Sequence, residues 1–109
     1  MSMTTPFERK VYAALLHVPC GRVTTYAELA RAVGCRSSRA VGQALKRNPF
    51  APVVPCHRVI SSDFAPGGFR GRMRGPALRA KLLLLKSEGV LFRRGRLAEP
   101  ERVMSLPRF

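Results

Sequence analysis

The chain has 109 residues, 46% of them apolar, which is enough for one compact core and too little for two. Twenty Lys and Arg face six Asp and Glu, a formal net charge of +14, and most of the bases are Arg. A surplus of that size, in a residue whose planar fork binds phosphates and base edges, points to nucleic acid; the lack of Trp and of a basic amphipathic helix argues against a membrane surface.

Thr5-Pro6-Phe7-Glu8 reads as a helix start: Thr5 caps, Pro6 suits the first helical position, and Glu8 completes a capping box. Phe7, Val11 and Leu15 form one stripe, and the helix is expected to end before Pro19. A second helix starts at Thr25, with Glu28 one turn on. It continues through Tyr26, Leu29 and Val33 and stops at Gly34. The turn Gly34-Cys35-Arg36-Ser37 leads to a third helix over 38–47, so the pair reads as a helix-turn-helix. On a helical wheel Val41, Ala44 and Leu45 share one side. Arg39, Gln43, Lys46 and Arg47 share the other, with small Ala40 and Gly42 beside them. That outer face holds no acid and suits close approach to a polyanion.

Three prolines between Asn48 and Cys56 exclude a helix there. Val53-Val54 and Val59-Ile60 are expected as short extended pieces around a polar centre. Residues 61–75 read as loop, and a fourth helix over 76–88 is stopped by Gly89. Val90-Leu91-Phe92, a turn at Gly95, and Leu97 predict a small hairpin; beyond Pro100 the pattern specifies little. The fold expected is mostly α: one small winged-helix-like domain over 1–109, with a helix-turn-helix and a short C-terminal β-hairpin.

Three cysteines is an odd number, with no Cys-x-x-Cys pair and only two histidines. Neither a disulfide framework nor a four-ligand zinc site is expected. Reduced thiols, with no signal-like apolar run near the N-terminus, predict an intracellular protein. Cys20 and Cys35 read as small buried apolar residues. Cys56 differs, because Pro55, His57 and Arg58 flank it, and nearby cations favour the reactive thiolate. In the fourth helix Leu78, Leu82, Leu84 and Leu85 define an apolar arc, and Lys81 and Glu88 fall inside it two turns apart. Buried charge needs a partner. Either both side chains snorkel from the arc's edge, or they meet the polar centre of Cys56-His57-Arg58.

Pro55-Cys56-His57-Arg58-Val59 resembles the active-site motif of the O6-alkylguanine-DNA alkyltransferases. Arg39-Ala40-Val41-Gly42 is similar to that family's recognition helix, and Asn48-Pro49 to its hinge. Gly21-Arg22-Val23 with Tyr26 resembles the segment entering its helix-turn-helix, and Lys81, Leu84, Leu85 and Glu88 its downstream helix. The resemblance spans about residues 6–92. It implies DNA repair by stoichiometric transfer of an alkyl group from O6 of guanine to Cys56, once per molecule, with no cofactor and no metal. His57 would deprotonate Cys56 through a water, and Glu88 would orient His57. Asn48 would brace the turn, Tyr26 would hydrogen-bond the flipped base, and Lys81 would lie near the cysteine.

The partner implied is double-stranded DNA containing O6-alkylguanine, approached from the minor groove with the damaged base flipped out. Arg39 would fill the vacated stack. Thr25, Tyr26, Ala40, Gly42, Gln43, Leu45, Lys46 and Arg47 would complete the contact. Pro55, Val59, Gly68, Phe69 and Arg70 would line the base pocket. A monomer is expected, in the cytoplasm of a prokaryote or the nucleus of a eukaryote. The sequence departs from the family pattern in a longer loop after Gly71 and in Ala51, where a pocket proline is usual. No counterpart of the N-terminal domain of many members is expected. The run Gly89-Val90 with Phe92 also resembles the alkyltransferase-like proteins, which bind lesions without transfer and replace the cysteine; here Cys56 is retained. An unrelated helix-turn-helix regulator would explain the charge and the third helix, but not Lys81, Glu88 or Pro55-Cys56-His57-Arg58.

Overall fold

The structure is a computed structural model that describes residues 4–68 and 74–109. Its elements in chain order are α1 (Pro6–Leu15), β1 (Thr24–Thr25), α2 (Tyr26–Ala32), α3 (Ser38–Lys46), a 3-10 turn (Cys56–Arg58), β2 (Val59–Ile60), α4 (Pro76–Ser87), β3 (Phe92–Arg93), β4 (Arg96–Leu97) and a second 3-10 turn (Pro100–Arg102). The mostly α architecture and the small antiparallel hairpin are as the sequence reading expects.

The helix starts follow their caps. Thr5 Oγ1 accepts from Glu8 N at 3.0 Å, and the Glu8 carboxylate accepts from Thr5 N at 2.9 Å, closing the box on α1. Thr25 caps α2 through Glu28 N at 3.1 Å. Glu28 itself turns away, to Arg31 at 2.7 Å and to the backbone N–H of Leu106 at 2.7 Å. Ser37 caps α3 through Ala40 N at 3.1 Å.

Two apolar clusters lie on either side of a two-stranded ladder. β1 and β2 pair in parallel, Thr24 with Val59 and Thr25 with Ile60. Val59 joins the cluster of α1, α2 and α3, built on Val11, Leu15, Leu29, Val41 and Ala44. Ile60 joins the cluster of Val23, Leu85, Val90 and Leu97. Successive strand residues face opposite ways, so one dipeptide serves both layers.

Several expectations are corrected. Val53-Val54 is not extended but part of a turn, and Val53 is 77% exposed. The amide of Asn48 makes the turn: its Nδ2 donates to Val54 O at 2.9 Å and its Oδ1 accepts from Phe50 N at 2.9 Å. Leu84 leaves the buried arc of α4 and is exposed, while Leu85 is fully buried. The hairpin strands are shorter than read, with Val90 in the core and Leu91 exposed ahead of them. The tail past Pro100 is well placed. Met104 N donates to Val23 O at 2.8 Å, Phe109 N to Ala32 O at 2.8 Å, and Leu106 is buried.

Candidate active site and nucleic-acid face

Cys56 opens the 3-10 turn that follows Pro55 and leads straight into β2. Its N–H donates to Val54 O at 2.9 Å, and the residue is half-buried. Beside it His57 is buried, with Nε2 3.0 Å from Glu88 Oε2. An ionised carboxylate only accepts, so this contact places the proton on Nε2 and leaves the Nδ1 lone pair available as a base.

Glu88 stands at the C-terminal cap of α4, where Gly89 (φ +85°) turns the chain. It also takes two hydrogen bonds from Arg58, Nε to Oε1 at 2.9 Å and Nη2 to Oε2 at 2.8 Å. Arg58 Nη1 donates onward to Val18 O at 2.9 Å. Burial alone would push the Glu88 carboxyl up, but the hydrogen bonds from Arg58 and His57 outweigh it and hold the group below its ordinary value. Glu88 is therefore a fixed anion shared by the Arg58 guanidinium and the His57 imidazole. Sequence reading placed Arg58 in the polar centre without a role; its i, i+2 spacing from Cys56 carries no signal for this.

Lys81 is fully buried under α4. Its ammonium donates to three carbonyls, Val59 O at 2.7 Å, Pro66 O at 2.6 Å and Gly68 O at 3.0 Å. Burial lowers its pKa to about 7, against a smaller opposing effect of negative charge at Cys56. Lys81 thus ties the loop after β2 to the strand rather than snorkelling. Tyr26, the first residue of α2, donates its hydroxyl to Gly68 O at 3.2 Å. Burial first, and then the charge of Cys56, push its pKa up to about 12, so it stays a donor.

Gly67 was not singled out from the sequence. Its φ is +73°, and a Cβ there would meet the Tyr26 ring at 3.0 Å and Ser61 Oγ at 3.1 Å. It lets the loop pass close to the tyrosine. Pro55 and Val59 are buried beside the site. Phe69 and Arg70, expected in the pocket wall, lie outside the described residues.

On α3, Arg39, Gln43, Lys46 and Arg47 are exposed, with Ala40 and Gly42 half-buried among them. Arg47 reaches Glu8 only at 3.7 Å. Two of the expected contact residues do not belong to that face. Leu45 is 8% exposed and packs in the first core. Thr25 is also buried, its hydroxyl committed to capping α2. Cys20 is exposed rather than buried, whereas Cys35 packs against the first core. Among the described residues no group of three or more His, Cys, Asp or Glu gathers as metal ligands, and no helix is long and apolar enough to cross a membrane.

The family described as 6-O-methylguanine DNA methyltransferase, DNA binding domain, matches residues 6–90. A methylated-DNA--protein-cysteine methyltransferase of Thermococcus sibiricus is 49% identical over 89 residues, 80% of this chain and 46% of that protein. The chain spans about half the length of the curated relatives it matches. The O6-methylguanine-DNA methyltransferase structure from Pyrococcus kodakaraensis aligns at TM-score 0.64 and 44% identity, over 80% of this chain and 48% of that one. The structure of S. pombe Atl1 in complex with damaged DNA containing O6-carboxymethylguanine aligns at TM-score 0.80 and 33% identity, over 95% of this chain and 99% of that one.

Proposed function

The chain belongs to the 6-O-methylguanine DNA methyltransferase family, through its DNA-binding domain, and on that premise we propose that it repairs DNA by moving an alkyl group from O6 of guanine onto Cys56. The observation that carries this is the His57–Glu88 pair at 3.0 Å, set beside the Cys56 thiol. With Nε2–H held by Glu88, His57 Nδ1 takes the thiol proton through a water. The Cys56 thiolate attacks the alkyl carbon, a C–S bond forms, and the C–O6 bond breaks with its electron pair leaving on guanine. The Tyr26 hydroxyl shifts from Gly68 O to the leaving base and hands it a proton, which leaves unmodified guanine in the strand, and the proton held on His57 then restores the tyrosine. The thioether on Cys56 is stable, so each molecule acts once and needs no cofactor.

Asn48 braces the turn that presents Cys56, and Lys81 holds the carbonyls of Val59 and Gly68 at the pocket floor. Arg39 fills the stack left by the flipped base, and Ala40, Gly42, Gln43, Lys46 and Arg47 follow the minor groove. One copy carries every group invoked, so the acting form is a monomer, working in the compartment that holds the DNA.

A second reading has a specific observation in its favour. The likeness to Atl1 runs through nearly the whole of both chains, while the methyltransferase relatives are matched over about half their length. On that reading the chain binds the lesion without transfer. Incubation with an oligonucleotide containing O6-methylguanine, followed by intact mass measurement, separates the two. Transfer adds one methyl to the protein, and Cys56→Ser abolishes the gain. Tight lesion binding with no change in mass sinks the transfer.

A further inference from the structure

The β3–β4 hairpin carries three arginines that no acid of the chain neutralises. Arg93 and Arg96 are cross-strand partners, and both are exposed. Like charges set directly opposite in an antiparallel pair repel. The turn joining them is Arg94-Gly95, with φ +52° and +78°. Two positive φ values are the geometry of a type I′ turn, which favours Asn or Gly where Arg94 stands. The tip thus holds two locally unfavourable choices, and each one adds positive charge.

All six acids of the chain lie among the described residues, and none meets this tip. Glu8 faces Arg47, Glu28 faces Arg31, Glu88 holds His57 and Arg58, and Glu99 holds Arg102. Asp63 accepts from Ala65 N, and Glu101 forms no ion pair among the described residues. The tip is also firmly mounted. Leu97 is buried, and its N–H donates to Phe64 O at 2.8 Å, while Ala98 N donates to Leu91 O at 2.9 Å. The hairpin packs in the Ile60 layer and α3 in the Val59 layer, so the β1–β2 ladder separates the two basic faces.

We propose that the Arg93–Arg94–Arg96 tip is a second phosphate-binding site, which grips a nucleic-acid backbone separately from α3. A phosphate between Arg93 and Arg96 replaces their repulsion with two charge-assisted hydrogen bonds. The site goes beyond the transfer chemistry and rests only on the DNA-binding part of the proposed function.

Binding to an undamaged duplex, measured by fluorescence anisotropy across a salt series, tests it. Each lost phosphate contact should reduce the slope of log K against log salt by about 0.9. Arg94→Gly should lower the slope by about that amount while raising the thermal midpoint of the free protein. Arg93→Ala with Arg96→Ala removes the one phosphate they share and should likewise lower it by about 0.9, weakening binding about tenfold or more at physiological salt. Arg93→Lys with Arg96→Lys should keep most of the slope, and Arg39→Ala should add to the hairpin variants rather than mask them. Hairpin variants that bind duplex as the unaltered chain does overturn the tip alone. An unaltered chain that binds no duplex overturns the proposed function with it. Stabilisation by inorganic phosphate that depends on the tip, with no change in duplex binding, rejects the backbone in favour of a free anion.

Discussion

Tyr26 and Lys81 converge on one acceptor, the carbonyl oxygen of Gly68, at 3.2 Å and 3.0 Å, with the ammonium 5.9 Å from the centre of the tyrosine ring. The loop after β2 is thereby pinned from two helices, α2 and α4. Lys81→Met leaves the carbonyls of Val59, Pro66 and Gly68 without their shared donor. It should destabilise the protein by at least about 2 kcal/mol in denaturant unfolding.

The same lysine sets a pH dependence. Its folded pKa, about 7, is below its ordinary 10.5, so the unfolded chain binds more protons between those values. Its contribution to stability is present in full above pH 10.5 and is lost as pH falls through about 7. The thermal midpoint of the unaltered chain, taken relative to Lys81→Met, should rise from pH 7 toward pH 10. A parallel course of the two would contradict the burial of its charge.

Glu88→Gln removes the anion between His57 and Arg58. Arg58 is left without its counter-charge, and stability should drop by about 2 kcal/mol or more. Transfer to Cys56 should slow on the order of 100-fold in single-turnover assays, since the imidazole loses its orienting charge. Because the Glu88 carboxyl is held below its ordinary 4.5, it stabilises the fold above that pH, and the contribution is lost as pH falls through the folded value. The acid limb of the unaltered chain's stability profile should therefore be flatter in the variant.

Tyr26→Phe deletes one hydrogen bond and should cost only about 1 kcal/mol of stability. The transfer rate should fall about tenfold or more, because the leaving base loses its donor. Gly67→Ala should reproduce that loss indirectly: its methyl would press on the Tyr26 ring at 3.0 Å in a left-handed backbone. A Gly67→Ala chain with unaltered transfer would show that the ring is free to move.

Arg39→Ala should weaken binding to lesion-bearing duplex more than it alters the reaction of Cys56 with a small alkylating reagent. Equal losses in both would count against its place in the base stack.

Much of the site was legible before the fold. Thr5 with Glu8, and Thr25 with Glu28, mark helix starts because a side-chain oxygen must satisfy a free backbone N–H close by in the chain. Lys81 and Glu88 inside an apolar arc left two readings, snorkelling or polar partners beneath α4, and burial of Lys81 decides for the partners. The division of Glu88 between His57 and Arg58 was not legible, because periodicity places a residue on a face without naming its partner. Leu45 and Thr25, expected on the DNA face, are buried, since a motif match covers whole segments while burial sorts their members one by one.

The sequence by itself determined the helices, the basic face of α3 and the setting of Cys56, all of which rest on short-range patterns of capping, period and charge. Only the tertiary structure decided the parallel pairing of Thr24-Thr25 with Val59-Ile60, the return of the tail to Val23 and Ala32, and the three carbonyls on Lys81. Each joins residues far apart in the chain through backbone groups. Those groups are the same in every amino acid, so no side-chain pattern could announce them.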